Sequence, residues 1–343
     1  AKDNNPIDRD ERRAYYDAVR DIESFENGYT LIRIKHGDID WESEGAKNHL
    51  LELIRIKSTD NRTHSGNHKI ARLIVTEREY DNKGNPIYER LILLIQNFVS
   101  RFYGKSHFEF IITAGGFLTF KFPEGIRYGI SIPYVEKYQV QVFQHEADKA
   151  INTFIRLLPT ATFRQLQEIA DYFTIGIDGY NPFDKQKIEL VGVYDLKNEN
   201  VIRWTGKFYP TEQQKHDLIK ITDLNSHFIE LNHQRLLLLG CHDLNVYSPR
   251  GQAAANPEGW RRKIADRFKM HCKEFMPEIV IQHPHTTDTP KIWNAAWSEL
   301  VRELPSVNHF VSGINYSNKN GVRGNLNDVL QKTKKGDVID FHL

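Results

Sequence analysis

The sequence predicts an α/β protein, a C-terminal Rossmann-like parallel sheet preceded by an N-terminal α+β region. Three observations carry this. The last 110 or so residues repeat strand, loop and helix three times and end on a fourth strand, the spacing of βαβ units. "RLLLLG" (235–240) is a continuous apolar run, as expected of a strand buried on both faces. The loops that follow strands are long and polar, whereas the opposite ones, "KEFMP" and "LPSV", are short and plain.

Taken in order, residues 8–26 read as an amphipathic helix with Ala18, Val19, Ile22 and Phe25 on one side, and Gly28 ends it. "YTLIRIKHG" and "KIARLIVTEREY" alternate as strands, and "DNKGNP" is a turn. "ERLILLIQNFVSRFYG" is read as a buried helix, with a strand as the alternative. "HFEFIITAGGFLTFKFPEG" reads as two strands joined in a hairpin at Gly115-Gly116. These elements make up a domain of residues 1–158. A connecting region, 159–234, holds a helix in "TFRQLQEIADYF", a hairpin around Lys197-Asn198 and a helix in "YPTEQQKHDLIKI". Thr211 and Gln214 there have capping-box spacing.

The Rossmann-like domain is assigned to 235–343. Its strands are "RLLLLG", "EIVIQ", "NHFVSG" and "DVIDFHL". Its first helix starts at Asn256-Pro257 and carries Trp260, Ile264, Phe268, Cys272 and Phe275 on one stripe. Pro290 opens a second helix, with Trp293, Trp297, Leu300 and Leu304 on its core face. "LNDVLQKTKKG" makes a third, with Gly336 past its end.

Composition narrows the function classes. The chain has 343 residues, of which 40% are hydrophobic and 27% charged, and Lys plus Arg (46) balances Asp plus Glu (45). That balance gives no support to a nucleic-acid partner and none to a membrane surface. With two cysteines, no apolar leader in "AKDNNPIDRDERR" and no run long enough to span a bilayer, a cytoplasmic protein is expected. The oligomeric state is not legible.

Ligands of open parallel sheets bind outside the carboxyl ends of the strands. The loops there hold His242, Asp243, His283, His285 and Asp288, the residue types zinc, manganese or magnesium would use. The same loops carry Asn245, Ser248, Arg250, Thr286, Thr287, Asn315 and Tyr316, suited to a ribose, phosphate or base. The expectation is a hydrolase of a phosphate-containing or nucleotide ligand. His242, Asp243, His283 and His285 would be catalytic, with or without a divalent metal. A non-catalytic nucleotide sensor or nucleic-acid-associated module using the same pocket is the alternative. Either requires His242, His283 and Arg250 to share one cleft.

"LLLLGCHD" is similar to the strand-following metal-binding step of calcineurin-like metallophosphoesterases, and "HPH" to that family's late histidine pair. Cys241 stands where that family has a metal-binding asparagine, and no D-x-H unit precedes it on a strand, so the family is not assigned. Cys241 as a nucleophile is the competing chemistry. About fourteen residues separate it from the next helix signal, whereas a nucleophile elbow passes directly from strand to helix. The sequence therefore favours a packed thiol. Asp178, Glu189 and Lys207, considered as a nuclease set, read more simply as exposed charges around a hairpin.

Overall fold

The computed structural model describes residues 66–76, 79–81, 83, 85–122, 140–183, 185–214, 216–250, 256, 258–285, 290–316 and 324–342. The helix expected over 8–26 and the strand "YTLIRIKHG" lie outside them. In chain order the elements are β1 (Gly66–Thr76), α1 (Tyr88–Phe102), β2 (Ser106–Ile112), β3 (Leu118–Lys121), α2 (Val140–Leu157), α3 (Thr160–Ile169), β4 (Ala170–Tyr180), β5 (Lys187–Asp195), β6 (Asn200–Gly206), β7 (Leu218–Ile219), β8 (Phe228–Leu231) and β9 (Gln234–Leu239). They continue with α4 (Trp260–Phe275), β10 (Ile279–Gln282), α5 (Pro290–Glu303), β11 (His309–Ser312), β12 (Ile314–Tyr316), α6 (Leu326–Lys332), β13 (Lys334–Lys335) and β14 (Val338–Phe341).

The strands form two sheets. The larger has nine strands with the path β12-β1-β2-β4-β5-β6; β14 also pairs with β1, β3 with β4 and β7 with β5. The smaller has five, in the order β13-β11-β10-β9-β8. Strand parity shows how they stack. Leu236 and Leu238 of β9 pack with Ile279, Ile281 and Val311 against Ile70, Phe110, Ile112, Val191 and Val193 of the larger sheet. Leu237 and Leu239 point the other way, onto Phe268 and Cys272 of α4 and Trp293, Trp297 and Leu300 of α5. The larger sheet's outer face (Ala71, Leu73, Phe173, Ile175) is covered by α1 and α2 through Leu94, Phe98, Ile151 and Phe154. The result is four layers, helix, sheet, sheet and helix, with a dry seam between the sheets. Each leucine or isoleucine sealed there contributes about 1.5–3 kcal/mol.

This corrects the Rossmann-like reading. The three apolar runs do form β9, β10 and β11, and they are parallel. Their spatial order follows the chain order, so this sheet has no reversal of strand order at which a nucleotide crevice would open. The fourth expected strand leaves altogether, and β14 lies parallel to β1 in the larger sheet. Arg72 explains the departure. It is fully buried on β1, and its guanidinium donates to Asp340 of β14, to Thr333 and to the carbonyls of Ser312 and Leu330. A buried cation needs such partners. Strands from all three of the expected regions therefore share the larger sheet.

Local readings shift as well. The helix expected through Phe173 stops at Ile169, and "ADYF" starts β4, paired with β2 and β5. The expected helix at 209–221 is a set of turns. Thr211 N–H does donate to Gln214, but Leu218-Ile219 is drawn into pairing with β5. Gly115-Gly116 is not a hairpin: β2 and β3 both run parallel to β4, one after the other. The glycines carry the chain past the β10 loop, where a Cβ on Gly115 would sit 2.7 Å from the His283 carbonyl oxygen. Among the described residues no helix is long and apolar enough to cross a membrane.

Candidate active site

The site forms where the carboxyl end of β9 meets one end of β4, β5 and β6. Gly240 follows β9, and the backbone of Lys207, just past β6, packs onto it; a Cβ on Gly240 would lie 2.8 Å from Lys207 N. Asp243 locks the junction. It is fully buried, and its carboxyl accepts the N–H groups of Phe208 (3.1 Å), Tyr209 (2.9 Å) and Gly240 (2.8 Å). One side chain thus ties the strand end bearing Lys207 to the loop bearing Cys241. Burial pushes Asp243 up to about 7, against the pull of those three donors and of Lys207.

Cys241 is 5% exposed. Its carbonyl accepts from Gln282 Nε2 at 2.8 Å, and its Sγ accepts from the backbone N–H of His285 at 3.3 Å. The β9 and β10 loops therefore meet. Around the thiol stands a chain of charges supplied by the larger sheet. Glu189 on β5 receives Lys207 Nζ at 2.9 Å on one oxygen and Lys187 Nζ at 3.1 Å on the other. His285 Nε2 donates to Asp178 of β4 at 2.6 Å, and its Nδ1 faces Glu189 at 3.7 Å. Ligating atoms of Glu189, Cys241 and His285 all lie within 4.8 Å of one another.

The electrostatics assign the protons. Burial opposes a charge on the His285 ring, but Asp178, Glu189 and Cys241 outweigh it and hold its pKa well above the ordinary 6.5. Burial alone would raise Glu189; His285, Lys207 and Lys187 bring it down to about 2. The cluster thus holds two carboxylates against two ammoniums and an imidazolium. Glu189, Cys241 and His285 are donor types that a metal would accept. The cations beside them put positive charge where a divalent ion needs negative charge.

The residues expected from the sequence are only partly brought together. His285 is central, although its carboxylate partner at 2.6 Å is Asp178 and not Asp243. Asp243 is a backbone clamp with no free oxygen to offer a ligand. His242 is held by Asn245, whose side-chain amide lies 3.2 Å from His242 Nδ1, and burial with Lys207 nearby lowers its pKa to about 4. His283 is 1% exposed, and burial lowers it to about 3, leaving a neutral ring sealed inside the fold. Ser248 is buried, Arg250 is exposed, and Asn315 and Tyr316 lie on β12 alongside Val75 and Thr76 of β1. His283 is thus sealed inside the fold, whereas Arg250 faces solvent. Thr286, Thr287 and Asp288 lie outside the described residues.

The sequence reading takes Asp178, Glu189 and Lys207 as exposed hairpin charges and Cys241 as a packed thiol; the structure gathers all four in this cluster. Burial is what changes the reading of the "hairpin charges": Lys207 is 0% and Glu189 5% exposed. The available signal is Glu189 set between Ile188 and Leu190 on β5, with Lys207 next to Phe208 just past β6.

No protein-family model matches the chain, and no curated protein does. Solved structures do. A cysteine-to-alanine mutant of the Nesterenkonia AN1 amidase, from the nitrilase superfamily, is similar over 74% of this chain and 79% of its own, with 10% identity and a TM-score of 0.39. A double mutant of the amidase from Nesterenkonia sp. AN1, in complex with acrylamide, matches over 73% and 78%, with 13% identity and a TM-score of 0.38. Glutamine-dependent NAD+ synthetase from Acinetobacter baumannii matches over 66% of this chain and 35% of its own, with 13% identity and a TM-score of 0.35. The residues themselves correct the expected nucleotide-binding, metal-assisted hydrolase: Asp243 is spent on three backbone N–H groups, His283 is sealed and neutral, and two lysines hold the carboxylate of Glu189 beside Cys241 and His285.

Proposed function

We propose that the chain is a cysteine-dependent acyl hydrolase acting on carboxamides, with Cys241 as the nucleophile. One observation carries this reading. The Cys241 thiol lies in a nearly closed cluster with His285 and Glu189, each anchored by a further charge, Asp178 on one side and Lys207 on the other. A nucleophile, an imidazole within reach and a carboxylate orienting that imidazole are the parts that acyl transfer requires.

The parts imply a sequence of steps. The thiolate sulfur attacks the carbonyl carbon, and the carbonyl electron pair moves onto oxygen. Lys207, fixed and dehydrated, is the cation positioned to stabilise charge at the reacting centre. The oxyanion collapses, the C–N bond breaks, and the amine leaves with the proton from His285. A thioester remains on Cys241. Water attacks it while His285 takes a proton, the C–S bond breaks, and the acid departs. An amine is a poor leaving group unless protonated, so a site that stores a proton on His285 suits an amide.

The experiment is ammonia release from a panel of small primary carboxamides, with intact-mass detection of an acyl adduct after rapid quench. The expected result is turnover together with an adduct mapped to Cys241. Turnover that persists in Cys241→Ala, or a panel giving neither ammonia nor adduct, would falsify the reading.

A further inference from the structure

We infer that Lys187 makes the site selective for carboxamides carrying an anionic group close to the scissile bond. This rests on the acyl-hydrolase reading and deepens it by naming a substrate class. The three cations of the cluster differ in what they are free to do. Lys207 is fully buried and bonded to Glu189. His285 is 29% exposed and already holds Asp178 at 2.6 Å. Lys187 is 39% exposed, and its one close partner among the described residues is Glu189 Oε1 at 3.1 Å, on a carboxylate that Lys207 also occupies.

Lys187 is therefore the cation of the cluster that reaches furthest into solvent. Lys187 Nζ lies 3.1 Å from Glu189 Oε1, and an oxygen of the same carboxylate lies within 4.8 Å of the Cys241 sulfur, so the ammonium stands one side chain away from the nucleophile. Its backbone is fixed too: Lys187 N–H donates to Asp217 O, and the residue pairs with Tyr180 and Leu218 in the sheet. A fixed, half-solvated cation one group away from a nucleophile attracts a carboxylate on the acyl chain and orients the carbonyl toward the sulfur.

The test compares succinamate, which carries a carboxylate, with neutral butanamide. Calorimetric binding is measured on Cys241→Ala protein, alone and combined with Lys187→Gln or Lys187→Arg; kcat/KM is measured on the Cys241-intact series. The expected preference for succinamate is about tenfold, as for a hydrogen bond to a charged group. It should be lost in Lys187→Gln, kept in Lys187→Arg and weakened by added salt. Equal binding of the two probes, binding of neither, or a preference surviving Lys187→Gln overturns the inference. Selective binding without any Cys241 adduct leaves the anion subsite standing and instead defeats the hydrolase reading.

Discussion

The two sheets contribute unequally to the site. The smaller one, β8 to β11 with β13, supplies the proposed nucleophile and the loop histidine, Cys241 and His285, at the ends of neighbouring strands. The larger one supplies the remaining charges, Asp178 from β4, Glu189 and Lys187 from β5, and Lys207 just beyond β6. Neither half is reactive alone. A thiol at the end of an apolar strand is only a small packed side chain. A carboxylate between two lysines is only a buried ion pair. In the proposed reading, chemistry arises because the two sheets bring these sets together, His285 to Asp178 at 2.6 Å, beside buried Cys241, Glu189 and Lys207, where each charge acts strongly.

The sharpest way to break this comparison is to remove the smaller sheet's contribution. Cys241→Ala should lower kcat by about 10³-fold or more, since the other groups have nothing to activate. Stability should change little, because alanine fills most of the space. Steady-state turnover and thermal unfolding on the same samples check both halves of the statement.

Removing the larger sheet's contribution should look different. Lys207→Met leaves Glu189 buried with only the half-exposed Lys187 as a lysine partner. Breaking such a pair costs about 3–5 kcal/mol, because one charge stays behind without compensation. Lys207→Met should therefore unfold at clearly lower denaturant concentration as well as lose turnover. A variant that loses turnover while keeping full stability would refute this assignment of a structural ion pair.

The contrast between His283 and His285 sharpens the comparison further. They flank one proline, yet one ring is sealed and neutral and the other is charged by the opposite sheet. His285→Gln should lose about a hundredfold in kcat, whereas His283→Gln should keep turnover and lose stability. Activity needs the His285 proton, so it should fall at alkaline pH as the ring deprotonates. Asp178→Asn removes the carboxylate at 2.6 Å and should move that alkaline limb to lower pH. The sign for folding is the same. The His285 contribution is fully present below the ordinary 6.5 and fades as pH rises through the raised value. For His283, lowered to about 3, the contribution is present above 6.5 and is lost as pH falls toward 3. A pH–rate profile for Asp178→Asn unchanged from the parent would count against the His285 assignment.

Physical range explains what the sequence revealed and what it did not. The runs that became β9, β10 and β11 were legible because burial on both faces leaves an unbroken apolar signature, and so was the approach of the loops after β9 and β10. The second sheet under them was not, because Leu236 and Leu237 look alike whether they meet a helix or a strand. The migration of β14 depended on Arg72, some 268 residues from Asp340, and nothing local marks that pairing. Cys241 was set aside because no helix follows it closely. The structure does bury Cys241, as that argument expects; what it adds is a set of side-chain charges from another sheet around the thiol. Glu189 and Lys207 were read as exposed because charges near a hairpin usually are. Their burial is visible only once the sheets are stacked.

Asp243 and Asp178 complete the comparison, one a clamp at the junction and one a partner of the reacting histidine. Asp243→Asn keeps the shape of the clamp. Its amide oxygen can still accept from Phe208 and Tyr209, but its NH₂ then faces the Gly240 N–H, donor against donor. The expected cost is about 1–3 kcal/mol of stability, with a smaller effect on turnover than Cys241→Ala, Lys207→Met or His285→Gln. The pH dependence carries a definite sign. Burial raises the folded pKa of Asp243 to about 7, so the native state resists losing that proton. The parent's contribution from this group is complete below the ordinary 3.8 and declines as pH rises through 7. Asparagine does not titrate, so the stability gap between parent and Asp243→Asn should be widest near pH 4 and narrower at pH 8. Denaturant unfolding at those two pH values measures it. A gap that widens with pH would mean that the three backbone donors outweigh burial and keep Asp243 ionised. The clamp would then also be a fixed negative charge beside Lys207.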